Sequence, residues 1–152
     1  MIKILEHSNV CVTFWTGTPT AADVSDSLRA AMTLRAKVGR PIVLMGILTP
    51  KSKMPDAEVR KKMLENWPKL VEIASTVQYV SLPTGFTAAR LISMLVEVFA
   101  LTRHGRRVSV HRQITPALCE VEEIDPTLNI KELKGMIEAA LKTITDQENQ
   151  AA

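Results

Sequence analysis

The chain has 152 residues, 46 % of them hydrophobic and 23 % charged, which is the size and balance of one globular domain that can bury a core without metal or disulfide help. Aromatic residues make up only 4 % and the net charge is +3, which argues against a stacking surface for nucleic-acid bases and leaves the core to Leu, Ile, Val, Met and Ala. The longest apolar stretch, Leu91 to Leu101, contains Glu97 and is too short to span a bilayer.

Ile2 to Glu6 and Val10 to Trp15 predict two short strands joined by a tight turn at His7-Ser8-Asn9, because Ser and Asn tolerate turn geometry. In the second strand Val10, Val12 and Phe14 share one face and Cys11, Thr13 and Trp15 the other. Thr18-Pro19 predicts a helix start, with a capping hydroxyl and proline at the first helical position. Gly39 predicts its end. Pro41 to Leu48 is a continuous apolar run, the pattern of a central strand buried on both faces. A polar, basic linker follows, and Asp56 opens a helix in which Val59, Met63, Leu70 and Ala74 face inward. Pro68 is expected to kink or divide that helix, since it has no N–H to donate.

Val77 to Leu82 predicts the next strand and Phe86 to Leu101 the next helix. The polar residues of that helix, Thr87, Arg90, Ser93 and Glu97, fall in one narrow stripe. The apolar surplus exceeds what one sheet can cover, so a further element is expected on it. Arg107 to Arg112 predicts a short strand, and Thr115-Pro116 a short helix to about Glu122. Asn129 with Glu132 starts a last helix, Ile130 to Thr145. Residues 146–152 read as a frayed polar tail.

The expected fold class is α/β, in the order ββαβαβαβα, with a mixed sheet, helices packed on it and one added C-terminal helix. The expected organisation is a domain over residues 1–124 and an amphipathic helix with its tail over 125–152. The hairpin at 2–15, the buried PIVLMGIL strand feeding a loop and helix, and the stretch ALTRHGRRVSVHRQITPAL together resemble the STAS or SpoIIAA-like domains of anti-sigma-factor antagonists. The resemblance implies a small regulatory or signalling module that docks on another protein. Phosphorylated members carry a Ser in an Asp-Ser-Ser-Gly-like turn after the third strand. Here the place reads Leu48-Thr49-Pro50-Lys51-Ser52, without the Asp and the Gly, so phosphoswitching does not carry over.

Chemistry-bearing patterns are sparse. His7, His104 and His111 have no metal-ligand spacing, and Cys11 and Cys119 are far apart on apolar patterns. No P-loop, G-x-S-x-G or G-x-G-x-x-G occurs. The expectation is therefore a protein that is not an enzyme and holds no cofactor and no metal. Arg103, His104, Arg106, Arg107 and Arg112 form the densest basic cluster, read as a solvated edge rather than a nucleic-acid or membrane contact. Nothing at the amino terminus has a signal-peptide layout, and a cytoplasmic location is expected.

Two candidate surfaces remain. Thr49, Lys51, Ser52 and Lys53 lie in the loop after the central strand, where partners of open α/β sheets collect. They are the expected contact loop for an acidic protein surface. Leu133, Ile137, Leu141 and Ile144 form the apolar face of the last helix. They are expected to pack on the surplus of the Phe86–Leu101 helix, within the chain or across a two-fold homodimer. Residues 1–112 hold 16 Lys/Arg and 8 Asp/Glu, and residues 113–152 hold 3 and 8. Charge would help an acidic end align on a basic body. The other function considered is a carrier or sensor of a small apolar ligand, with Met54, Met63 and Met94 lining a pocket.

Overall fold

A computed structural model describes residues 1–101 and 108–151. Strands β1 (Ile2–His7), β2 (Val10–Trp15), β3 (Ile42–Leu48), β4 (Ala74–Ser81) and β5 (Val108–His111) form one sheet in the order β1-β2-β3-β4-β5. β1 and β2 pair antiparallel, and every later pair is parallel. Helices α1 (Ala21–Val38), α2 (Ala57–Ile73) and α3 (Gly85–Leu101) are the crossovers, and α4 (Ile114–Ile124) and α5 (Ile130–Gln150) complete the chain. The fold is the expected ββαβαβαβα layout with an added helix.

Strand order decides where the helices go. Each crossover steps one strand in the same direction, and right-handed connections then put all three helices on one face. The buried clusters agree. Cys11, Trp15, Ile42, Leu44, Leu48 and Val77 of the sheet pack with Val24, Leu34, Trp67, Leu91 and Leu95 of the three crossover helices. Val10, Val12, Phe14, Val43, Met45 and Ile47 pack on the opposite face with Leu118 and Val121 of α4 and Leu133, Ile137 and Ile144 of α5. β2 and β3 are buried along their whole length, as a strand between two helix layers must be.

The placement of α5 corrects one expectation. Its apolar face does not lie on α3. Leu133, Ile137 and Ile144 are fully buried in their own chain, on the other side of the sheet, with Leu141 partly buried beside them. Residues 125–152 thus complete the core of 1–124. The helix also outruns its apolar pattern and continues to Gln150, so residues 146–150 are not a frayed tail.

The caps explain most helix boundaries. Asp56 accepts from the Val59 N–H at 2.8 Å, Asn129 accepts from the Glu132 N–H at 3.1 Å, and Gly39 closes α1 in the left-handed region at φ 69°. α1 starts later than Thr18-Pro19 suggests. Thr20 and Asp23 form a reciprocal capping box, each side chain taking the other's backbone N–H, and this satisfies two donors that Thr18 could not reach. α2 runs through Pro68 undivided, since buried Trp67 and part-buried Leu70 anchor both sides of it. β4 begins at Ala74, three residues before the Val77 that its apolar pattern marks.

One close approach positions a side chain that matters below. Gly46 of β3 pairs with Tyr79 of β4. A Cβ on Gly46 would stand 2.4 Å from Tyr79 Cε1. The phenol ring therefore lies across β3 only because this residue has no side chain.

Candidate functional site

The loop after β3 is tied down at half of its expected contact residues. Thr49 is buried; its N–H donates to the Trp15 carbonyl at 3.0 Å and its hydroxyl sits 2.7 Å from that of Thr16. Both hydroxyls reach Glu148 Oε1 of α5, at 2.5 Å from Thr16 and 3.2 Å from Thr49. Ser52 is buried as well and donates to the Trp15 carbonyl at 2.5 Å. Thr49 and Ser52 are thus buried and tied within the chain rather than presented at its surface. Lys51 and Lys53 are exposed, and the Lys51 ammonium donates to the Glu148 carbonyl at 3.0 Å. Of the four expected residues, Lys53 is the one whose exposed charge has no hydrogen bond or ion pair among the described residues.

Lys53 leads into a groove that the sequence only half announced. Met54, Arg60 of α2, and Phe86, Ala89, Arg90, Ser93, Met94 and Glu97 of α3 line an open space of about 390 Å³. It lies toward the C-terminal ends of the parallel strands, because α2 and α3 both start there. Phe86 is 79 % exposed, and Arg90 stacks over its ring at 5.8 Å from the centroid. At that exposure the ring gains little from burial in the fold. Arg60, Arg90 and Glu97 supply its charges, Met54, Phe86 and Met94 its apolar surface, and exposed Lys53 adjoins it in the chain through Met54. Phe86 could have been singled out earlier, since α3 carries more apolar surface than the sheet needs. Arg60 gave no sequence signal, because its place in the groove follows from the spacing of α2 and α3.

The ligand-carrier expectation meets two small cavities under the crossover helices. One is lined by Trp15, Met63, Trp67 and Tyr79, the other by Trp15, Met63, Met94 and Tyr79, and each has about 30 Å³ of free space. That is room for a water molecule and about a tenth of an ordinary ligand site. Met63 lines both and Met94 one of them, while Met54 and Met94 both line the outer groove. Burial pushes the Tyr79 hydroxyl up to about 12, which keeps it neutral.

A polar network lies on the other face, below α4. Buried Gln78 donates to Thr76 Oγ1 at 2.9 Å and to Glu120 Oε2 at 3.1 Å, and its carbonyl oxygen meets His111 Nε2 at 2.7 Å. Ser109 donates to the same carboxylate oxygen at 2.6 Å. The Ser109 bond, with help from Gln78 and His111 and against partial burial, holds Glu120 below its ordinary range. His111 meets the Gln78 carboxamide and not a hydroxyl, and the hydroxyl in the network, that of Ser109, is bonded to the Glu120 carboxylate. The spacing of the histidines alone did not reveal this His111–Glu120 approach of 3.7 Å; it follows from the β4–β5 register. Among the described residues no three His, Cys, Asp or Glu side chains gather to hold a metal. No helix among them is long and apolar enough to cross a membrane.

The acidic end does meet the basic body, at few points. Asp125 lies 3.8 Å from Arg40 and accepts from Asn9 at 3.3 Å. Thr127 first, then Asn9 and Arg40, hold its carboxyl below the usual range against the effect of burial. Of the basic cluster, Arg103, His104, Arg106 and Arg107 lie outside the described residues, and Arg112 is exposed at the end of β5. Comparison with protein-family models gives no match, and comparison with curated proteins gives none either.

Proposed function

We propose that the chain is a small regulatory interaction module of the STAS-like type, cytoplasmic and non-catalytic, which docks another protein on the outer side of α2 and α3. The observation that carries this reading is the groove itself. An exposed phenylalanine and two methionines share it with Arg60, Arg90 and Glu97, and exposed Lys53 precedes Met54 in the chain, at the strand ends where open α/β sheets take their partners. The matching partner is a segment with an apolar anchor and acidic neighbours. The anchor would cover the apolar surface and supply affinity, and the acids would supply orientation and on-rate. The element order and the mixed sheet support the STAS-like part of the reading. The inward Ser52 supports docking without a phosphoryl switch in that loop.

The test is capture of partners from an extract of the native host by the tagged chain, at low and high salt. Lys53→Glu with Arg60→Glu should abolish most of the low-salt capture while leaving circular dichroism unchanged, and wild-type capture should weaken as salt rises. Equal capture by the variant and the wild type would contradict the reading. The small-ligand reading has about 30 Å³ in each cavity between helices and sheet, and its larger space, the groove of about 390 Å³ beside Met54 and Met94, is open to solvent.

A further inference from the structure

The exposed side of α3 carries a pattern that a foreign partner would not require. Phe86, Ala89, Ser93, Val96 and Ala100 are all exposed, at alternating spacings of three and four residues. This is the seam spacing of a helix that packs along another helix. Phe86 and Val96 are 79 % and 52 % exposed, and the shorter side chains between them allow close approach of a second backbone. α5, the one free amphipathic helix of the chain, is committed to the other face of the sheet, so nothing within the described residues covers this seam.

The flanking charges indicate what does. Arg90 and Glu97 are exposed and seven residues apart, so they occupy the same heptad position on the same flank of the seam. They are two turns, roughly 11 Å, apart along the axis and cannot pair with each other. Neither forms an ion pair among the described residues. When two helices pack antiparallel, each flank faces the same flank of its partner. A second α3 related by a two-fold axis near Ser93 therefore sets Arg90 opposite Glu97 of the other copy, and Glu97 opposite its Arg90. A parallel pairing would bring neither match.

We propose that a second copy of this chain docks on the outer face of α3, as an isologous antiparallel α3–α3 contact centred near Ser93 and closed by two Arg90–Glu97 pairs. The contact rests on the reading of the α2–α3 side as a docking face and names one occupant of it. Phe86 and Arg90, which line the groove, are partly covered in the pair, so self-association and capture of another protein compete for the same surface.

The test is sedimentation of the full chain in low salt, at concentrations up to about 200 µM, where a weak micromolar dimer is well populated. The wild type should dimerise. Arg90→Glu and Glu97→Arg should each weaken the dimer roughly tenfold, since each leaves like charges facing across the seam. The double charge swap should restore it, because self-complementarity returns. An equimolar mixture of the two single variants should associate as the wild type does. All variants sit at exposed positions, and circular dichroism checks their folding. A wild type that stays monomeric overturns the proposal, and so does a dimer that all four forms make equally well. If the wild type is monomeric while capture still depends on Lys53 and Arg60, the dimer fails and the docking reading stands. If the charge-swap pattern holds while capture ignores Lys53 and Arg60, the reverse is true.

Discussion

Ile137 is the most informative single position for the energetics of this fold. It is fully buried at the centre of α5, against the sheet face built by Val12, Phe14 and Met45. Truncation to alanine removes three buried carbon atoms and leaves a void that two helices and a stiff sheet cannot easily close. Such sites cost about 2–5 kcal/mol. For a chain of this length each kcal/mol lowers the melting temperature by about 2–4 °C, so Ile137→Ala should melt about 4–20 °C below the wild type. Leu141→Ala, on the half-buried edge of the same helix, should cost less than about half as much. Removing residues 126–152 would uncover Leu133, Ile137 and Ile144 together, on the order of 5–9 kcal/mol of burial. A typical domain has only about 5–15 kcal/mol in total, so the truncated chain should not stay folded. Urea unfolding followed by circular dichroism measures the point variants. If α5 is part of its own chain's core, the Ile137→Ala deficit is the same at low and high protein concentration. A deficit under about 1 kcal/mol, or one that grows on dilution, would refute the placement of α5.

Further outcomes follow from local features. Gly46→Ala should destabilise by about 1–3 kcal/mol, because its Cβ would meet the Tyr79 ring. Combining it with Tyr79→Val should cost clearly less than the two changes separately, and strict additivity in urea titrations would show that the ring is not the obstacle. Cys11 is fully buried with its thiol pushed up to about 12, first by burial and then by Glu6, whereas Cys119 is exposed. A disulfide-exchange reagent at pH 8 should therefore label one thiol in the native protein and two in urea; two labelled natively would contradict the packing of β2. Glu120 and Asp125 titrate below their ordinary values in the folded state, and so does Asp23, whose burial is outweighed by hydrogen bonds from Thr20 and by the amino terminus. A depressed folded value means stability that is present above the unfolded pKa near 4 and is lost as the pH falls through the folded one. The urea midpoint should stay level from about pH 7 to 5 and fall below about pH 4, with Asp125→Asn flattening the fall. A midpoint that rises on acidification would reverse that sign.

Much of the fold was legible because burial writes itself into particular segments. Ile42 to Leu48 has no polar residue, and it is the sheet's central strand, buried on both faces. Asp56, Gly39 and the Asn129–Glu132 pair marked helix ends by their chemistry alone. The side of the sheet that α5 covers was not read, because periodicity shows that a helix has an apolar face but not which face of the sheet receives it. Strand order supplies that information. Once β2 to β5 lie in sequence order, the crossovers fill one face and α5 is needed on the other. The burial of two residues of the contact loop was hidden for a related reason. Thr49 and Ser52 look like any polar loop residues, and their burial depends on Thr16 and Glu148, which are distant in sequence. Phe86 was visible as part of an apolar surplus. That the surplus stays exposed could be learned only when α5 proved to be occupied elsewhere.

The central claim, that the α2–α3 side is where this chain meets proteins, is tested most directly by site-specific photo-crosslinking in the native host. A photoreactive residue replaces Phe86 in one strain and Lys142, exposed on α5 away from the groove, in another. The account predicts discrete adducts of defined mass from position 86, including one of twice the chain mass, and none above background from position 142. Adducts that are absent at position 86, or that are as frequent at position 142, would contradict it.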